Sequence, residues 1–149
     1  MYRGLSQMLG MKIIPTGDTI NDQLVTLKDN WDNHDFFFVH YKPTDAAGED
    51  GNFTEKVSAL ENLDKEIPTI LGLDPDVLVI AGDHSTPSVL AGHSWHPVPF
   101  VIRSSTSESG QTEKFTEREA RKGALGTIQA TDLMALALAH SGKLDKFGA

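Results

Sequence analysis

The stretch Val77-Leu-Val-Ile-Ala81, followed at once by Gly82-Asp-His-Ser-Thr-Pro87, decides how this chain is read. Five apolar residues without polar alternation, three of them β-branched, read as a short strand buried on both faces. The polar loop that follows opens with glycine and holds proline, so the strand stops abruptly. In open α/β sheets ligands sit beyond the carboxyl ends of strands. Asp83 and His84 therefore fall where a ligand site belongs.

The same pattern recurs upstream. Asp35-Phe-Phe-Phe-Val-His-Tyr41 is a second apolar run, read as a strand covered on both faces. The segment 42–52, rich in Pro, Gly, Asp and Asn, reads as the loop after it. Met11 to Pro15 reads as a short strand, with Gly17 in a turn that a positive φ would suit. Leu24, Leu27 and Trp31 fall at helical spacing, with Asn21 and Asp22 as caps. Phe53, Val57, Leu60 and Ile67 mark one face of another helix, opened by an Asn52/Glu55 capping box and ended or kinked at Pro68. Val98 to Ile102 reads as a further strand, near an edge because of Pro99. The polar stretch 103–122 reads as a loop with one helical turn. Thr131 caps a last helix, Asp132 to His140, with Gly142 just beyond it. Strands alternate with helices, which predicts one α/β domain over 1–149 with a mostly parallel sheet flanked by helices.

Composition narrows the function. With 39% hydrophobic and 23% charged residues the chain can bury a core. It has no cysteine, so disulfides, thiolate metal sites and a cysteine nucleophile are excluded. Any metal must be held by imidazole or oxygen donors. The net charge of -8, without a basic patch, argues against nucleic acid. The apolar runs are too short to span a bilayer, and the start lacks a signal-peptide core. The expectation is a cytoplasmic protein.

Asp45 and Glu49, four residues apart, either reach one cation or form a solvated turn. Asp83 and His84 either face one ion or serve as a cap and a surface imidazole. His93 follows in a second loop position, before His96-Pro-Val-Pro. Two-metal sites place their ions about 3.5–4 Å apart and need more ligands than these five. The site is then mononuclear or completed from outside the chain. His34 and His40 read as structural, and Lys42 as either a phosphate contact or a solvated lysine.

Asp83-His-Ser-Thr-Pro87 with His93-Ser-Trp-His-Pro-Val-Pro-Phe100 is similar to the metal-binding signature of the alkaline phosphatase superfamily. The likeness is greatest to its archaeal-type, 2,3-bisphosphoglycerate-independent phosphoglycerate mutase branch. Val39-His-Tyr-Lys-Pro-Thr-Asp-Ala-Ala-Gly48, Phe115 to Gly126, Thr131 to Met134 and Lys146-Phe-Gly-Ala149 agree, in order. The resemblance implies a partial alkaline-phosphatase-like domain, the C-terminal metal-binding segment of an isomerase that works through a phosphoserine. It implies two divalent ions (Mn, Mg, Zn or Co), one held by Asp45, Glu49 and His93 and the other partly by Asp83 and His84. Lys42 and His96 are expected to face substrate. Glu49 stands where the family usually has histidine. The nucleophilic serine and a further aspartate belong to an N-terminal part that this chain lacks, so no catalytic residue is assigned here. The alternatives are a phosphatase or phosphodiesterase of the same superfamily, or a non-catalytic domain completed by a partner chain. An incomplete sheet would leave an edge, from which a homo-oligomer is expected.

Overall fold

A computed structural model describes residues 2–108, 110 and 112–144. The expectation on Lys146 to Ala149 lies outside them. The chain is α/β, with helices α1 (Tyr2–Met8), α2 (Ile20–Asp29), α3 (Pro43–Glu49), α4 (Phe53–Leu71), α5 (Glu117–Ala120) and α6 (Asp132–His140). Strands β1 (Val77–Ala81) and β2 (Phe100–Ser104) form the sheet.

Local chemistry sets several helix ends, although Thr131, the expected cap of α6, makes no side-chain capping bond. Thr19 caps α2, accepting from the Asp22 amide, while the Asp22 carboxylate accepts from the Thr19 amide at 3.1 Å. The cap is Thr19 rather than the expected Asn21 or Asp22, because Asp22 is the return partner of a capping box. Gly17 does not adopt a positive φ. Its lack of a Cβ matters instead, since a Cβ there would lie 2.5 Å from the Asp22 carboxylate. Asn52 caps α4 by accepting from the Glu55 amide at 3.0 Å. Pro68 does not end α4, which runs on to Leu71. Gly142 follows α6 with φ 68°, the left-handed turn expected past a helix end.

The sheet corrects the expected topology. β1 and β2 pair antiparallel, Val77 opposite Ser104 and Ala81 opposite Phe100. Parallel strands need a crossover, usually helical. Here the connection 82–99 doubles back on itself instead, closed by the Ser85–Ser94 bridge, and delivers β2 beside β1 in reverse. β2 begins at Phe100, just past Pro99.

Segments 11–15 and 35–41, expected as strands, carry no regular secondary structure and join no ladder. Neither face of the run 35–41 is buried: Tyr2 packs against Phe38 and His40 on one side, and Val39 on the other is 41% exposed. Phe37 stacks on Trp31 at 5.2 Å, whereas Phe36 and Phe38 are 49% and 55% exposed. The tightest packing is elsewhere: Leu24 and Leu27 of α2, Ala47 of α3 and Ala59 of α4 are buried. α3 and α2 both pack on α4, and α6 touches β1. No helix among the described residues is long and apolar enough to cross a membrane.

Candidate metal centre

The expected loop after residue 41 is a helix. Pro43 sits in its first turn, where a missing N–H costs nothing and the fixed φ is already helical. Helical geometry places Asp45 and Glu49, four residues apart, on one face. Gly48 lets that helix press on the loop after β1. A Cβ at Gly48 would lie 2.4 Å from the Thr86 carbonyl oxygen. The Lys56 ammonium of α4 donates to the same carbonyl.

The loop after β1 brings the imidazoles together. Turns at Pro87–Leu90 and Ser88–Ala91, the latter with Ala91 at φ 46°, reverse the chain. The Ser94 amide then donates to the Ser85 carbonyl at 2.9 Å. His84 and His93 flank this closure, and their ring centroids stand 3.9 Å apart.

The outcome is one cluster. Donor atoms of Asp45, His84 and His93 all lie within 4.8 Å of one another. His93 Nε2 is 3.6 Å from Asp45 Oδ1 and 3.2 Å from Glu49 Oε1. His84 Nδ1 is 3.8 Å from Asp45 Oδ1, and its Nε2 is 3.6 Å from Asp83 Oδ2. The five residues expected as ligands therefore stand side by side, with only Asp45, His84 and His93 bringing donors within 4.8 Å of one another. Glu49 joins through His93, and Asp83 through His84, at the margins of the triad.

Lys42 and His96 divide. The Lys42 ammonium is bonded to Asp45 and stands 3.7 Å from Glu49 Oε2, so it lies between two carboxylates. His96 turns to its own loop, with Nδ1 2.8 Å from Ser94 Oγ and its ring stacked on Trp95. His34 packs edge-on against Phe37, and His40 packs against Tyr2.

The electrostatics favour an ionised Asp45. Burial pushes its carboxyl up, but hydrogen bonds from Lys42 and Thr86 outweigh burial and hold the pKa at about 2. Burial likewise raises Asp83, and the Tyr2 phenol donating to it brings the balance below the usual carboxylate range. Tyr2, Thr86, Lys56 and Gly48 were not assigned from the sequence. Their roles come from contacts 30 to 81 positions away, for which spacing carries no signal.

Two imidazoles and a depressed carboxylate suit a borderline divalent cation, and the close approach of the donors fits one. Fold and donor set define the class: an α/β chain carrying a candidate divalent-metal centre. Residues 14–140 match the family profile described as Metalloenzyme superfamily, and the chain belongs to that family. Its relatives include a "Probable 2,3-bisphosphoglycerate-independent phosphoglycerate mutase" of Thermotoga maritima, 56% identical over 149 residues. A protein of the same description from Thermus thermophilus is 50% identical over 152 residues. Both matches cover the whole chain but 37% of the relative, so the chain spans little over a third of their length. Among solved structures, the PH0037 protein from Pyrococcus horikoshii superposes with TM-score 0.92 at 32% identity. That match covers 99% of this chain and 48% of the other.

Proposed function

We propose that this chain is the metal-binding portion of a 2,3-bisphosphoglycerate-independent phosphoglycerate mutase, which interconverts 3- and 2-phosphoglycerate in glycolysis. The observation that carries the reading is the convergence of Asp45, His84 and His93 from α3 and both limbs of the loop after β1. The 56% identity to relatives so described supports the choice of reaction. Asp45, Glu49 and His93 would hold one divalent ion, and His84 with Asp83 a second. Mn, Mg, Zn and Co all suit these donors.

A bound divalent cation neutralises phosphate oxygens and favours ionisation of an attacking hydroxyl. The chain's own residues prepare that site. With its pKa held at about 2, Asp45 is ionised at neutral pH and ready to ligate. Lys42 offsets the two carboxylates and is free to turn toward an incoming phosphate as they take up a cation. Tyr2 restrains the Asp83 carboxylate. The nucleophile belongs to the remainder of the protein, so this chain alone turns nothing over. The exposed Phe36, Phe38 and Val39 suit docking of that remainder, or of a second copy. A glycolytic step implies a cytoplasmic protein.

The test is an assay of the full-length protein in 3-phosphoglycerate with and without divalent metal. Metal-dependent interconversion, lost in His93→Ala, supports the proposal. Hydrolysis of p-nitrophenyl phosphate with no interconversion would replace it with a phosphatase.

A further inference from the structure

Thr86 is the most deeply buried polar residue near the cluster, at 4% exposure. Its hydroxyl touches two candidate ligands at once. Oγ1 donates to Asp45 Oδ1 at 2.6 Å, and His84 Nδ1 lies 3.0 Å from the same oxygen. The residue is clamped on its backbone side, with Lys56 bonded to its carbonyl and α3 pressed against it at Gly48.

A threonine hydroxyl carries one proton, and an ionised carboxylate can only accept. The proton must go to Asp45. The Thr86 oxygen is then left with lone pairs facing His84 Nδ1. That contact is attractive only if Nδ1 carries the imidazole proton; otherwise two lone pairs oppose each other across 3.0 Å. A neutral imidazole protonated at Nδ1 offers its lone pair at Nε2. His84 Nε2 points to Asp83, 3.6 Å away, a separation that two donors can span on one ion.

We infer that Thr86 is a positioning residue that fixes the Nδ1–H form of His84, aims Nε2 at the ion shared with Asp83, and ties that ion's ligand to Asp45. The inference rests on the metal-site reading above. It also settles which nitrogen of His84 ligates: Nδ1, though 3.8 Å from Asp45, is already committed to Thr86. Partners that orient a metal-bound imidazole in this way are worth about 10–100-fold in metal affinity.

The experiment uses the 149-residue chain, labelled with ¹⁵N, in its wild-type, Thr86→Val and Thr86→Ser forms. Valine keeps the shape and removes the hydroxyl, and serine restores the hydroxyl. Long-range ¹H–¹⁵N spectra of the metal-free chain at alkaline pH read the His84 tautomer, and calorimetry reads Zn²⁺ affinity. Wild type and Thr86→Ser should show Nδ1–H alone and bind alike. Thr86→Val should show mixed tautomers and bind about 10–100-fold more weakly. An Nε2–H form in wild type would overturn the inference without any variant. Equal affinity in Thr86→Val, or a Thr86→Ser as weak as Thr86→Val, would also overturn it. Zinc binding by none of the three would sink the metal-site reading itself, a distinguishable result.

Discussion

Around Thr86 the chain is packed so closely that a Cβ at Gly48 would press on backbone, and the Thr86 carbonyl and hydroxyl are bonded across the helix–loop boundary to Lys56 and Asp45. Along 35–41 an apolar run of similar strength leaves two phenylalanines half exposed and its backbone outside any ladder. The first region closes with residues this chain supplies. The second meets Trp31 through Phe37 and Tyr2 through Phe38 and His40, and buries neither face. Apolar sequence expresses a need for cover; whether cover is met depends on which other segments are present.

The comparison can be broken by mutation. The largest effect should fall in the helical layer. Leu24→Ala, at a position 2% exposed, should cost about 2–5 kcal/mol in urea unfolding. Gly48→Ala should cost about 1–3 kcal/mol, because the new methyl meets backbone rather than a flexible chain end. It should also weaken metal binding, since α3 must back away from the loop.

Acid should act next. The Asp45 pKa is depressed from 3.8 to about 2 in the folded chain. A depressed carboxyl contributes stability that is complete above its unfolded value and lost as pH falls through the folded one. The loss should run from about pH 4 down to 2, and amount to about 1 kcal/mol once the exposed Lys42 partner is discounted. Urea midpoints of wild type and Asp45→Asn, both metal-free, should differ at pH 5 and converge toward pH 2. The smallest effect belongs to the exposed run 35–41. Phe38→Ser should move stability by less than about 0.5 kcal/mol and reduce self-association in light scattering. A loss as large as that of Leu24→Ala would erase the distinction between the two regions.

The candidate donors were legible because a motif names them: Asp45, His84 and His93 cluster, with Glu49 and Asp83 beside them. The helix that carries two of them was not. Pro, Gly and Asp read as a loop by composition, yet Pro43 starts the helix well and Gly48 is needed for contact with a residue far along the chain. Thr86 stood in plain view within the same motif. Its role depends on Asp45, 41 positions away, and no local pattern encodes that bond. The strand at 77–81 was placed correctly by its apolar run, but the pairing was not, because the 82–99 connection turns back where a crossover was expected. His96, three residues from His93, meets Ser94 and Trp95 and stands outside the donor triad.

The proposal requires that Asp45, His84 and His93 belong to one metal centre, Asp45 and His93 on one ion and His84 on its neighbour. Calorimetric titration of Mn²⁺ into the chain tests it most directly, with Asp45→Ala and His93→Ala beside a Glu119→Ala control that alters an acidic residue outside the cluster. The account predicts saturable binding by wild type and Glu119→Ala, and its loss in the other two. Equal heats in all four chains, or none in wild type, would contradict it.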